Sequence, residues 1–341
     1  MRTITLGKTG LKTKNIGFGA LPIQRTTKHE SKKILQKAYE NGINFYDTAR
    51  AYTDSEEKIA SALKKVRENI IIASKTQTET TEKFWNDLET TLKNLKTDYI
   101  DLYQLHNIQN IPQPGDKAGL YDALTDAKNQ DLIKHIGVTA HKHDIALQAI
   151  ESDLYETLQY PFSYLTGKTE LQIVQKTLQK GMGFIAMKAM AGGLIHNSKA
   201  AYAYMNQYPQ VLPIYGIQKE EELDQFLQHD QEQVVMDKQL EQEISQDRKE
   251  LSGNFCRGCG YCQPCPEEIT INLAARMSLW IRRFPTEPFL TQEYQDLMEK
   301  TQNCTECGAC IKKCPYELNI PELLKENYTD YQNILRQNNN P

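Results

Sequence analysis

Short apolar runs alternate with stretches of helical periodicity from Ile16 to about residue 228. The runs are rich in Ile, Val, Leu, Phe and Tyr and bounded by Gly, Asn, Asp and Thr, as strands buried on both faces are. They place strands at 16–20, 45–47, 70–74, 100–105, 136–138, 157–160, 184–187 and 211–215. Between them, apolar positions recur at helical spacing over 31–41, 55–65, 81–95, 117–130, 144–151, 170–180, 198–208 and 220–228. Ser55, Thr81 and Ser198 stand where N-caps belong. Eight strands, each followed by a helix, predict an α/β chain folded as a (β/α)8 TIM barrel.

Beyond His229 the pattern changes. Residues 230–250 are rich in Glu, Gln, Asp and Lys, with sparse apolar positions at Val234, Val235, Met236, Leu240 and Ile244. The divisions expected are a barrel over 1–229, a helical connector over 230–253, a cysteine-bearing module over 254–325 and a polar, frayed tail over 326–341. Inside the module, 271–282 and 291–301 read as helices.

Composition narrows the classes. The chain has 341 residues, enough for one large barrel and a small second domain. No apolar run is long enough to span a bilayer, and the first residues, Met1-Arg2-Thr3-Ile4-Thr5, lack the apolar stretch of a signal peptide. A net charge of −4 offers no basic footprint for nucleic acid. The expectation is a cytoplasmic protein.

All eight cysteines fall between Cys256 and Cys314. They form two runs, Cys256-x-x-Cys259-x-x-Cys262-x-x-Cys265-Pro266 and Cys304-x-x-Cys307-x-x-Cys310-x-x-x-Cys314-Pro315. Tight runs of this kind argue for metal ligation rather than disulfides. Zinc favours paired C-x-x-C knuckles, which these triple runs are not. The second is the bacterial ferredoxin run, whose fourth cysteine ligates the other of two clusters. The first is one residue shorter. By that crossing, one 4Fe–4S cluster takes Cys256, Cys259, Cys262 and Cys314, and the other Cys304, Cys307, Cys310 and Cys265. Gly258, Gly260 and Gly308 let the backbone wrap closely around sulfide.

The strand ends of the barrel carry the second candidate chemistry. Asp47 ends one strand and Tyr52 follows in the loop after it; Lys75 and His106 end the next two. Strand C-terminal ends converge on one face, so the four would share a site. A phenol can protonate a developing alkoxide if a cation lowers its pKa, a carboxylate can hold that cation, and an imidazole can polarise a carbonyl. A lone Tyr or Lys at such a position is ordinarily a packing or surface residue; four together are not. His29, His135, His143, His196 and His229 read as surface or packing histidines, and Gly17-Phe18-Gly19 as a tight barrel bend rather than a phosphate loop.

Asp47, Tyr52, Lys75 and His106, in that order and setting, match the catalytic tetrad of the aldo-keto reductases, which the chain resembles to about Leu227. Leu6-Gly7-Lys8-Thr9-Gly10-Leu11 and Ile16-Gly17-Phe18-Gly19 resemble that family's opening hairpin and first strand. The resemblance implies NAD(P)H-dependent reduction of a small aldehyde or ketone, or the reverse, with Tyr52 as proton donor. It implies that Thr139 and Gln159 meet the nicotinamide amide. Met187 falls where many members stack a tyrosine, and Phe184 to Gly193, with Lys188, resembles the segment of members that carry iron–sulfur motifs. Gly216, Gln218 and Lys219 resemble the loop that binds the 2′-phosphate, but Glu222 stands where many members use an arginine. A carboxylate there suits a ribose hydroxyl, or simply an acidic first helical turn. NADPH and NADH both remain candidates.

Hydride transfer moves two electrons and a 4Fe–4S cluster one, and the sequence carries no flavin motif. Three functions are therefore open: a carbonyl reductase with auxiliary clusters, an electron relay to a redox protein partner, and a non-catalytic nicotinamide sensor.

Overall fold

The computed structural model describes residues 1–251, 255–283 and 286–339. Asn254, where the cysteine module is expected to start, lies outside the described residues, as do Ser252 and Gly253 of the connector and Asn340 and Pro341 of the tail.

A hairpin of β1 (Thr3–Thr5) and β2 (Lys12–Lys14) precedes the barrel. The first half of the barrel then runs β3 (Gly17–Gly19), α1 (Lys28–Glu40), β4 (Phe45–Asp47), α2 (Ser55–Leu63), β5 (Ile71–Thr76), α3 (Thr81–Leu95), β6 (Ile100–Leu105) and α4 (Leu120–Asn129). The second half runs β7 (Ile133–Thr139), α5 (His143–Ser152), β8 (Thr157–Pro161), α6 (Lys168–Gln179), β9 (Gly183–Met187), α7 (Ser198–Asn206), β10 (Val211–Gly216) and α8 (Glu220–Gln231). Strands β3 to β10 close into a parallel barrel, β10 pairing with β3. Apolar side chains on its strands explain the closure: Phe45, Ala73, Leu102, Ile185 and Leu212 form one buried cluster with Ile4 and Leu6 of the hairpin segment. Gly183 is required there, because a Cβ on it would lie 2.5 Å from Leu6 Cγ.

The helix starts differ from expectation by a consistent rule. The caps are Asp54, Thr80 and Asn197, each one residue earlier than expected. Thr80 Oγ1 accepts the Lys83 N–H at 3.3 Å and Asn197 Oδ1 the Ala200 N–H at 2.8 Å. Ser55 is buried instead, its hydroxyl donating to the Ala20 carbonyl at 3.0 Å. Helix α1 begins before residue 31 because Thr27 and Glu30 form a reciprocal capping box. Helix α4 begins after residue 117 because Gly119, at φ +63°, turns the chain into it.

The chain divides into two compact units. The first holds residues 1–190 and 197–244; the second holds 191–196 and 245–341. Helix α9 (Lys238–Glu250) buries Leu240 and Ile244. Within the second unit lie α10 (Ile271–Ala274), α11 (Met277–Arg283), α12 (Gln292–Glu299), α13 (Ala309–Lys313) and α14 (Ile320–Asn339). Their core gathers Ile269, Met277, Met298, Leu318, Leu324 and Tyr331. The tail expected to fray past residue 325 is helical through Asn339, because Tyr331 and Leu335 are buried in this core. No helix among the described residues is long and apolar enough to cross a membrane.

Candidate functional site

Asp47 closes β4 and Lys75 lies near the end of β5, where the parallel register sets Asp47 against Ala73. Both are buried, and Lys75 Nζ donates to Asp47 Oδ1 at 2.7 Å and to the Thr48 carbonyl at 2.6 Å. Burial pushes the lysine pKa down, opposed chiefly by Asp47 and further by Glu56. Burial likewise pushes the Asp47 carboxyl up, opposed by Lys75 and by a hydrogen bond from Gln159. Each charge is thus held by the other in a medium that would otherwise neutralise it.

His106 follows β6, its backbone N–H donating to the Thr76 carbonyl at 2.8 Å. Its pKa is depressed to about 3 by burial and then by the Lys75 charge, so the imidazole is neutral at pH 7. Half-buried Tyr52 sets its ring edge-on to His106, with centroids 5.9 Å apart and planes at 82°. Lys75 Nζ lies 5.4 Å from the Tyr52 ring centroid. The structure therefore brings all four predicted residues together.

The strands beyond extend this constellation. Gln159 on β8 accepts from Gln104 Nε2 at 2.9 Å, and Gln104 stands beside Lys75 in the β5–β6 register. Thr139 ends β7, and its hydroxyl oxygen accepts the Asn107 N–H at 2.7 Å. Met187 ends β9, and Lys188 follows in a left-handed conformation at φ +58°. His141 is buried near this face, its pKa held well below the usual histidine range by burial, Lys188 and His106. Sequence reasoning passed over His141, two residues beyond Thr139, and over Glu56, an acid in the first turn of α2.

Gly216, Gln218 and Lys219 lie on the loop between β10 and α8. Glu222 does not stand open for a ribose hydroxyl: its Oε2 accepts the N–H groups of Gln218 and Lys219 at 2.7 and 3.0 Å. A carboxylate at the third helical position meets the unsatisfied first-turn donors before any ligand does.

In the second unit a small cavity is lined by Cys262, Cys265, Cys304, Cys307 and Cys310, with Ile269, Ile271 and Leu324. All eight cysteines are unbridged. One expected quartet, Cys304, Cys307, Cys310 and Cys265, lines this single cavity. Cys256, Cys262 and Cys314 are buried together in the adjoining core. Burial, with Cys256 and Cys259 nearby, pushes the Cys262 thiol up to about 12. Gly258, Gly260 and Gly308 all adopt positive φ, and a Cβ on Gly258 would lie 2.4 Å from Arg276 Nη1. Among the described residues no three His, Cys, Asp or Glu side chains are gathered closely enough to hold a single metal ion. A soft, multi-thiol lining of this shape fits a polynuclear iron–sulfur group.

A closed parallel barrel with ionisable side chains gathered at its strand tops, joined to a cysteine-rich helical unit, defines a (β/α)8 enzyme architecture with a metal-cluster module. Residues 4–228 match the model of the aldo/keto reductase family, and residues 255–319 match that of a 4Fe–4S dicluster domain. The chain belongs to the aldo/keto reductase family. It is 28% identical over 184 residues to an uncharacterised oxidoreductase of Bacillus subtilis, covering 50% of this chain and 59% of that one. It is 27% identical over 209 residues to L-galactose dehydrogenase of Arabidopsis thaliana, covering 56% of this chain and 66% of that one. The matched stretch thus falls short of two thirds of either relative. A putative aldo-keto reductase from Pseudomonas aeruginosa superposes with a TM-score of 0.59 at 25% identity, covering 67% of this chain and 94% of that one. A holo-form aldo-keto reductase from Bacillus halodurans shares the fold with a TM-score of 0.64 at 21% identity, covering 72% and 96% of the two chains.

Proposed function

We propose that the barrel is an NAD(P)H-dependent carbonyl reductase, acting on a small aldehyde or ketone or, in reverse, on the alcohol. The observation that carries this reading is the convergence of Tyr52 and His106 on the buried Asp47–Lys75 ion pair. When bound, the nicotinamide supplies a hydride to the carbonyl carbon. Tyr52 holds the proton that the developing alkoxide takes at oxygen. A phenol parts with its proton reluctantly near neutrality, and Lys75 stabilises the tyrosinate left behind. Asp47 keeps Lys75 charged and aimed. Neutral His106 offers a ring N–H to the carbonyl oxygen, polarising it without adding a second cation.

In this reading Thr139 and Gln159 hold the carboxamide, Met187 packs against the ring face, and Lys188, Gly216, Gln218 and Lys219 complete the cofactor contacts. Glu222 already occupies two N–H groups of that loop, which leaves a 2′-phosphate fewer donors, so the reading covers NADH as well as NADPH. Two 4Fe–4S clusters, held by Cys256, Cys259, Cys262 and Cys314 and by Cys304, Cys307, Cys310 and Cys265, supply one-electron transfer when bound. The setting this requires is a reducing cytoplasm, where thiols stay unbridged.

Replacing Tyr52→Phe is expected to lower kcat/KM for carbonyl reduction by about 10²–10⁴-fold, with the nucleotide Kd within about two-fold. Equal turnover in the variant sinks the Tyr52 assignment. A second reading, relay to a redox protein partner, is favoured by the exposure of Cys307 at the cavity. Anaerobic mixing with NADPH, without a carbonyl, separates the two. Bleaching of the visible cluster absorption in step with NADPH loss favours the relay, whereas unchanged absorption leaves the barrel a self-contained reductase.

A further inference from the structure

Glu56, in the first turn of α2, is 1% exposed and takes no part in the chemistry above. Four side chains nevertheless converge on its carboxylate. Ser74 Oγ on β5 and Thr91 Oγ1 on α3 donate to Oε1 at 2.8 and 2.9 Å. Asn94 Nδ2 on α3 donates to Oε2 at 3.1 Å, and the Arg50 guanidinium donates to the same oxygen. A carboxylate buried against a partly exposed cation is a poor way to fill space, since apolar side chains of similar volume stabilise as well or better. Its partners point to a different role.

Arg50 sits two residues before Tyr52, on the loop that presents the phenol. Its backbone N–H donates to the Lys75 carbonyl at 2.9 Å, and the Thr48 N–H donates to the Ala73 carbonyl at 2.8 Å. Its guanidinium also reaches the Thr53 carbonyl at 3.4 Å, beside a left-handed turn at Thr53 with φ +37°. Ser74, the donor from β5, is the residue before Lys75.

We propose that Glu56 is the positioning residue of this site. Through Arg50 it fixes loop 48–54 and hence Tyr52, and through Ser74 it fixes the strand end that carries Lys75. The consequence for turnover rests on the carbonyl-reductase reading; the arrangement itself does not. Lys75 is faced by Asp47 from β4, Tyr52 from the loop, His106 from β6 and Glu56 from α2. Glu56 is faced by Arg50, by Lys75, and by the neutral Tyr103 phenol on β6, which Asp87 on α3 also flanks. An anion at Glu56 and a cation at Arg50 would bias the ionisation of the nearby Tyr52 phenol in opposite senses.

The test uses Glu56→Gln and Arg50→Gln. Chains carrying 13Cζ-tyrosine are titrated by NMR, with the Tyr52 signal assigned by its loss in Tyr52→Phe, so the readout does not depend on turnover. Removing the anion leaves Arg50 unbalanced, and Glu56→Gln is expected to lower the Tyr52 pKa by about half a unit or more. Arg50→Gln is expected to raise it by a similar amount. Both variants lower kcat about ten-fold or more while KM for the nucleotide stays within about two-fold. Tyr52 titrations that coincide with the parent in both variants, with only the melting temperature lowered, overturn the proposal and leave Glu56 a packing role. Should Glu56→Gln fail to fold, the more exposed Arg50→Gln decides by the same titration. A parent protein that reduces no carbonyl refutes the reductase reading, while opposite Tyr52 shifts still uphold the role of Glu56.

Discussion

Burial disfavours a charged His106, and protonating it would also place a second cation beside Lys75; together these lower its pKa to about 3. Unfolded, the same ring titrates near the ordinary value of about 6.5. Between these values the unfolded chain binds the extra proton, so the stability His106 contributes is present above about pH 6.5 and is lost as the pH falls towards 3. His141 acts in the same direction. Melting temperature is thus expected to fall from pH 7 to pH 5, and less steeply in His106→Gln; identical slopes would show that His106 does not report burial. The four tetrad residues were legible as a set, because each ends or follows an apolar strand run and each carries a distinct functional group. Glu56 and His141 were not. Nothing local separates a buried Glu56 from its exposed neighbour Glu57 in an acidic first turn; the difference is made by Ser74, Thr91 and Asn94, which lie 18, 35 and 38 residues away.

At the scale of elements, continuous apolar runs located all eight barrel strands and helical spacing located their helices, since both are properties of neighbours along the chain. Ends were less legible. Capping is decided by which oxygen reaches the first-turn N–H groups, and Ser55 and Ser198 make hydrogen bonds to other segments instead. Glu222 shows the same competition in reverse: a side chain read as a cofactor determinant is taken by its own helix. The hairpin segment and β9 meet where Leu6 lies against Gly183. Gly183→Ala forces a methyl into Leu6, and overpacking of about 1–3 kcal/mol is expected to lower the barrel's melting transition by about 2–12 °C in calorimetry. An unchanged transition would mean that Leu6 can shift aside without loss.

For the whole molecule, two compact units share one chain, and residues 191–196, though they follow a barrel strand, are gathered with the cysteine-bearing unit. There Arg276 Nη1 donates to the Gly192 carbonyl at 2.9 Å. Anaerobically purified protein is expected to carry about eight irons per chain, falling to about four in Cys304→Ser with roughly half the visible absorption. Complete loss of iron in that variant would instead make the two quartets one cooperative unit. The order of strands, the cysteine spacing and the identity of the tetrad were determined by the sequence itself, because they are read from residues close together in the chain. Which carboxylates are buried, which backbone donors are already taken and which thiols share a cavity were decided only by the tertiary structure. Those properties depend on segments brought together by barrel closure and helix packing, and no local pattern encodes the distance between them.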